Sequence, residues 1–575
     1  MNINKMNVIS IVGCGPRGLS SLEALMAALA KSTTQIEIQG YIFEPQKYPG
    51  AGWVWDLDQV DSNWMNISDR ALCNLKEREE IEMPSYTIPT FPSYIDWMKS
   101  NRDHILAEEK DDFPPRRMMG TYLNERFNSI FSVLETHKLF QLIKAEVKDI
   151  NYQEDRLVVI DEFDNKFLCS ECLLSIGHQS TFDDDQIKKW KVYANNNKLL
   201  LVDNPYNFNI NDVKHEDKVA IRGFGLAMID VVRMLTVEKG GVFKSGGTEG
   251  KLLFIPSEKS VQKIASFSLD GLPMVPKPLG YDVDRHFEVT EEQERQFEKA
   301  VRQALKSATK LSNLDFLLDP FSEIAAEKYI SHPAVAFQTN VDTIKQIIKE
   351  WLLDMSYSHP LILNAQLPTY DYMQNTVSMA LGHAPPSIDF CVGQLWRHLQ
   401  PKMYVIFSHC DLRDELMEKV IALDESTKRY SYGPPVESIQ QLIALTEAGV
   451  LDLSLTKDPD IKCTDLGWEL SLHGKNEKYN VMIDSVLDAP KLVDIDSGLI
   501  VKLKQNDVLT PVTTDLGVQT HKDGVVELSN AVKNVYLSIL GRNAKGSVLG
   551  VDAILECFGP RIEDWASGVI SRLST

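Results

Sequence analysis

Val8-Ile9-Ser10-Ile11-Val12-Gly13-Cys14-Gly15-Pro16-Arg17-Gly18, continuing as a helix from Leu19 to Ala30, is the stretch that decides the fold. A β-branched apolar run enters a GxGxxG turn, and an Ala/Leu-rich helix leaves it. Strand, glycine turn and helix in that order mark the first crossover of a parallel α/β sheet that takes a dinucleotide. The three glycines do different things: Gly13 permits a tight turn, Gly15 lets backbone approach a pyrophosphate closely, and Gly18 lets helix and strand pack closely. The helix N-terminus, with Pro16 and Arg17 in its first turn, offers free N–H groups and the positive end of a dipole to phosphates. A second strand, from Ile36 to Phe43, ends in Glu44. That puts a carboxylate at a strand tip roughly 20–30 residues after the glycines, where a ribose hydroxyl is bound in such sites. A glycine turn without a ligand is the bland alternative, and the full series of elements argues against it.

Working outward, the same grammar recurs once. Lys218 to Arg222 is a strand, Gly223-Phe224-Gly225 a turn, and Leu226 to Leu235 a helix carrying Asp230, with Met228 in place of the third glycine. One chain then holds two dinucleotide sites in series. Between them lie Pro49-Gly50-Ala51-Gly52-Trp53-Val54-Trp55, a glycine loop with aromatics able to wall off a ring system, and Pro114-Pro115-Arg116-Arg117, a basic pair open to phosphate or solvent. An apolar strand from Phe167 to Ile176 ends in Gly177-His178, where the histidine stands either beside a ring or in a structural hydrogen bond. The glycine-rich run 240–250 predicts a loop. Thr290 with Gln293 makes a capping box that opens a helical section to about Leu453, with Phe297, Val301 and Leu305 as a core stripe. A short β-rich section spans 456–512. The closing strand, from Val535, leads through Gly546 to Asp552 and into a helix from about Ala553, whose N-terminus suits a polar cofactor tail. The expected fold is α/β: two Rossmann-like domains with a mainly helical additional region. The first dinucleotide domain spans 1–205, completed by 513–575; the second spans 206–285; a helical cover spans 286–455.

Composition narrows the function. The 575 residues carry a net charge of −21, which disfavours nucleic acid and anionic membrane surfaces as partners. Hydrophobic content of 43% and charged content of 25% are those of a soluble globular protein. No apolar run spans a bilayer and no leader pattern precedes the first strand, so a cytoplasmic location is expected. Eight cysteines over this length suit a reducing compartment. Cys169 and Cys172 form a CxxC that reads as a redox pair or half a zinc site; no second Cys or His pair stands at zinc spacing, and no metal site is expected.

With these segments placed, the chain resembles the bacterial FAD-NAD(P)-binding family, relatives of flavin-dependent N-hydroxylating monooxygenases. The likeness rests on Gly13 to Gly18, on Pro49-Gly50-Ala51-Gly52 with Trp55, and on Met65-Asn66, where Ile67-Ser68 replace the family's Thr-Pro. Pro115-Arg116-Arg117 with Gly120 and Tyr122, Gly177-His178, Gly223-Phe224-Gly225-Leu226 with Asp230, Gly433-Pro434-Pro435, and Gly546 to Asp552 extend it over nearly the whole length. Where family members often show Ser-Arg-x-Gly-Leu-Pro, this chain has Ser268-Leu269-Asp270-Gly271-Leu272-Pro273, which removes a phosphate clamp, adds a repelling acid and leaves NADH and NADPH both open. The resemblance implies that Gly13, Gly15, Pro16, Arg17, Gly18, Glu44, Gly52, Trp55, Asn66, Gly177 and Asp552 serve FAD, and that Gly223 and Gly225 serve NADPH or NADH. Asn66 and His178 are the candidate catalytic neighbours of the ring. It also implies hydride transfer to FAD, a flavin C4a-hydroperoxide formed with O₂, and N-oxygenation of an amine or amino acid, as in the branch that converts aspartate to nitrosuccinate. A flavin oxidase or reductase without oxygen insertion, and a nucleotide-binding scaffold without turnover, are the competing readings.

Overall fold

A computed structural model describes residues 7–101, 111–153, 155–247, 251–307, 310–336, 340–527 and 535–574. Of the glycine-rich loop expected at 240–250, residues 248–250 lie outside the described residues. Strands of the two large sheets and the helices used below are, in chain order, β1 (Asn7–Val12), α1 (Pro16–Lys31), β2 (Ile38–Phe43), α2 (Arg116–Thr136), β3 (Phe140–Ile143), β4 (Glu171–Leu174), β5 (Leu200–Val202), β6 (Lys218–Arg222), α3 (Leu226–Thr236), β7 (Lys263–Phe267), α4 (Ile388–Phe407), α5 (Asp414–Ser431), β8 (Leu451–Asp452), β9 (Val481–Asp484), β10 (Tyr536–Ile539) and α6 (Pro560–Leu573).

Two five-stranded sheets carry the architecture, and every pairing in both is parallel. The first has the order β10-β4-β1-β2-β3 and the second β5-β9-β6-β7-β8. Parallel strands covered on both faces need near-continuous apolar sequence. β1 and β6 supply it: Ile9, Ile11, Val219, Ala220 and Ile221 are wholly buried. α1 starts on Pro16, whose missing N–H costs nothing at a first helical position, and buries Leu19, Leu22, Leu25 and Met26 under the first sheet.

The section 456–512 is not separate from the second sheet. Strands Asp460–Thr464, Gly467–Leu472 and Lys475–Tyr479 form a small antiparallel sheet, and the chain then enters β9, which lies between β5 and β6. The second parallel sheet therefore closes only after the helical region, which is inserted between β7 and β8 rather than following a finished unit at 285. Helices and second sheet share one core, running from Val219 and Leu235 through Trp351 and Trp396 to Leu445 and Ile483.

Two local expectations change. The apolar run 167–176 is two strands: Lys166–Cys169 pairs antiparallel with Arg156–Asp161, then β4 joins the first sheet beside β1. At the switch, the Ser170 N–H donates to the Val8 carbonyl at 2.9 Å. The C-terminal helix begins at Pro560, not near Ala553, because a 3₁₀ turn over Leu555–Phe558 comes first.

Candidate functional site

The opening glycine turn is built by backbone constraints. Gly13 has φ +84°, and a Cβ there would meet the Ser175 carbonyl oxygen at 2.8 Å. A Cβ on Gly18 would meet the Gly13 carbonyl oxygen at 2.3 Å, so both positions exclude side chains to let α1 lie on the sheet. Gly15 differs: it is the N-cap of α1, no side chain caps it, and its nearest neighbour is the backbone of Gly52 at 3.5 Å. The N–H groups of the helix end are left for an anion. Glu44, 4% exposed, accepts the Cys14 N–H at 2.7 Å and the Gln46 N–H at 2.9 Å. Burial raises its pKa despite these bonds, and an ionised carboxylate keeps further acceptor positions for a ribose. Arg17 turns away: its guanidinium lies against Gly541, where an added Cβ would overlap it.

The second turn repeats the plan. Gly223 has φ +109° and packs on Ser485, while Gly225 caps α3 without a side-chain partner and has nothing within 4 Å of where a Cβ would stand. Gly177, with φ +67°, likewise faces open space.

Between the two units lies a cavity of about 2060 Å³, beyond the roughly 300–1,000 Å³ of a single small-ligand site. Trp55, Asn66, His178 and Asp552 line it, together with Arg222 and Leu226 from the second turn, Tyr404 from α4, and Tyr432. The glycines of both turns, Glu44, Pro16 and Arg17 are not among the residues that line it. His178 faces the cavity, and burial with Arg542 nearby pushes its imidazole down to about 4, so the ring is neutral. Asp552 bridges Lys428 at 2.7 Å and Arg542 at 2.5 Å; despite burial, these cations hold its carboxyl well below the ordinary range. Asn66 Nδ2 donates to the Tyr432 carbonyl at 3.2 Å, and the Asn66 carbonyl accepts from Lys277 Nζ.

Several sequence-level expectations shift. Arg116 is neither solvated nor aimed at a phosphate: it forms a buried pair with Asp230 at 2.6 Å, with the Tyr206 hydroxyl donating to the same carboxylate at 2.9 Å. Arg117 pairs with Asp61 at the surface. Asp270 is no free repelling charge, because Arg429 of α5 pairs with it and the Ser268 hydroxyl donates to it at 3.1 Å. Cys169 and Cys172 are buried, and their mutual hydrogen bond together with burial drives the Cys172 thiol well above its ordinary pKa. The Cys172 thiol is not poised as a thiolate.

One group was not signalled by any local motif. At one end of the cavity, Asp284 accepts from Arg70 at 3.0 Å, from Arg397, and from His398 at 3.3 Å; Arg70 also reaches Asp111 at 2.8 Å, and Lys277 stands alongside. These residues come from stretches far apart in sequence, so only the packed chain unites them.

Among known proteins, residues 10–179 match a family model described as FAD-NAD(P)-binding. Nitrosuccinic acid synthase npaA of Aspergillus oryzae is 24% identical over 557 residues, 88% of this chain and 82% of that protein. An L-aspartate N-monooxygenase (nitrosuccinate-forming) of Streptomyces davaonensis is 23% identical over 291 residues, 47% of this chain and 44% of its own. Among solved structures, OTEMO in complex with FAD and NADP is 11% identical with a TM-score of 0.44, over 99% of this chain and 84% of that one. An open form of cyclohexanone monooxygenase is 12% identical with a TM-score of 0.40, over 98% and 87%. No helix among the described residues is long and apolar enough to cross a membrane. The end of the first strand, the uncapped glycine turn and the acid at the next strand tip all fall within residues 10–179, the stretch that this family model matches.

Proposed function

We propose that this chain is an FAD-dependent, NAD(P)H-consuming monooxygenase that oxygenates the nitrogen of an amine, with an acidic amino acid as the leading substrate. The observation that carries this reading is the single cavity walled by both dinucleotide units and ending in Arg70, Lys277 and Arg397. The turn 13–18 with Glu44 would hold FAD, and the turn 223–225 would hold the nicotinamide nucleotide. FAD, when bound, supplies the relay of electrons from nicotinamide to O₂ and the oxygen that is transferred.

The protein's own residues do the rest. Trp53 to Trp55 and Tyr404 give the cavity an aromatic and apolar wall. Arg70, held by Asp111 and Asp284, and Arg397, held by Asp284 and Gln394, bring positive charge to this end of the cavity, where a carboxylate is favoured. The names of the curated relatives, which make nitrosuccinate from aspartate, support a substrate carrying carboxylates. His178, neutral and lining the cavity, accepts or donates a hydrogen bond without adding charge.

The test is purification followed by oxygen uptake with NADH and with NADPH, against a panel of amino acids and amines, with mass spectrometry for added oxygen. Expected is a yellow protein whose uptake rises with an acidic amino acid and yields an oxygenated amine. Peroxide as the only product overturns the monooxygenase reading in favour of an oxidase, and a colourless protein that refuses FAD overturns both.

A further inference from the structure

Lys277 sits between two prolines, Pro276 and Pro278, in the segment that leaves β7. Its backbone N–H donates to the Pro434 carbonyl at 3.1 Å, so the segment is fixed against the turn after α5. The side chain lines the cavity and donates to the carbonyl of Asn66 from the first unit. The charged groups facing it come from each neighbouring element: Asp111 and Arg70 from the first unit, Asp284 from the short helix Tyr281–Asp284, and Arg397 and His398 from α4. The two carboxylates are already committed. Asp284 is shared by Arg70, Arg397 and His398, and Asp111 is taken by Arg70 and the Gly280 N–H. Lys277 has no carboxylate of its own among its hydrogen bonds and stands beside a guanidinium.

An ammonium so placed is disfavoured relative to the free amine, since burial and a neighbouring cation both penalise the charge. Burial, with Arg397 adding to it, lowers Lys277 to about 7. A lysine near neutrality inside a cavity has a use in amine oxygenation. An amino acid arrives as an ammonium, which has no lone pair and does not attack oxygen. Something must remove a proton before the nitrogen can react. Among the described residues at this end, burial leaves His398 below its ordinary pKa and tied to Asp284, Asp284 and Asp111 are ion-paired, and Glu288 stands on the His398 side.

We propose that Lys277 is the catalytic base that deprotonates the substrate's ammonium at the Asn66 end of the cavity. The step balances without a co-reactant: one N–H bond of the substrate ammonium breaks, one N–H bond forms on Nζ, and the charge passes from substrate to lysine with no change of oxidation state. The proton returns to solvent before the next turnover. The proposal rests on the amine-oxygenating function above.

The experiment uses the flavin-loaded protein and the acidic amino acid found in the oxygen-uptake screen. The rate of oxygenated product is measured between about pH 5.5 and 9.5 for wild type, Lys277→Met and Lys277→Arg. In parallel, lysines are reductively methylated with ¹³C and the Lys277 resonance, assigned by its absence from Lys277→Met, is followed through the same range. Expected is an acid limb in kcat/KM with a midpoint near pH 7 in the wild type, matched by the titration of the Lys277 resonance. In both variants the product rate at pH 7 falls about 100-fold, in keeping with loss of a general base. It recovers about tenfold per pH unit as the substrate deprotonates in solution, while KM moves less than threefold. A resonance titrating near 10, or an acid limb that keeps its midpoint in folded Lys277→Met, overturns the base assignment alone. Absence of oxygenated product from the wild type refutes the proposed function, and the base with it.

Discussion

At the residue scale, glycines of similar appearance have different reasons for being glycine, and substitution separates them. Gly18→Ala drives a Cβ into the Gly13 carbonyl at 2.3 Å, so backbone must move. The expected cost is about 1–3 kcal/mol of stability, read as a lower urea midpoint with unchanged slope. Gly225→Ala meets open space with φ at −95°, an ordinary backbone conformation. Its stability should stay within about 0.5 kcal/mol of wild type. Binding of the nicotinamide nucleotide, followed by tryptophan fluorescence, should weaken about tenfold or more; unchanged affinity would detach the second turn from the nucleotide. These positions were legible in the sequence because a local rule names them. Lys277 and Asp284 were not, since a Pro-Lys-Pro and a lone aspartate acquire meaning only from partners more than a hundred residues away.

At the element scale, the two units follow one itinerary. In each, a strand, glycine turn and helix lead to a second strand, then a long excursion, a short third strand, a three-stranded antiparallel sheet and a fourth strand beside the first. The echo reaches single atoms. The Ser175 N–H donates to the Val12 carbonyl at 2.9 Å after β4, and the Ser485 N–H donates to the Arg222 carbonyl at 2.8 Å after β9. Apolar runs entering glycine turns exposed the first half of each unit. β9 falls inside the expected β-rich section 456–512, but its place in the second sheet was not legible, because a four-residue apolar strand has no partner signal until the chain has returned across the helical region. The units are joined by Arg116 at the start of α2 and Asp230 on α3. Asp230→Asn leaves a buried guanidinium without its counter-charge and is expected to cost about 3–5 kcal/mol, whereas the double change Arg116→Met with Asp230→Leu should recover most of it. Urea unfolding of the three variants decides between a paired and an independent role.

At the scale of the whole molecule, acid sensitivity follows from histidines held neutral. Burial pushes His332 and His409 each down to about 4 from an ordinary value of 6.5. The unfolded chain therefore takes up more protons than the folded one between these values. Stability is fully present above about pH 6.5 and is lost as pH falls toward 4. The melting temperature should drop between about pH 7 and pH 5 at constant ionic strength, and the double variant His332→Phe with His409→Gln should flatten that drop. An equal drop in the variant assigns the sensitivity to other groups.

β10 has a consequence in time. It pairs with β4 and borders the first sheet, yet it lies more than 350 residues downstream of that strand. A ribosome has therefore made both glycine turns and the helical wall before the first sheet receives this strand. Nascent chains halted anywhere before Tyr536 emerge with that edge unpaired, and the cell's quality-control machinery meets an exposed β-strand rather than a finished flavin cradle. The first sheet thus waits for a strand made more than 350 residues after the one it pairs with.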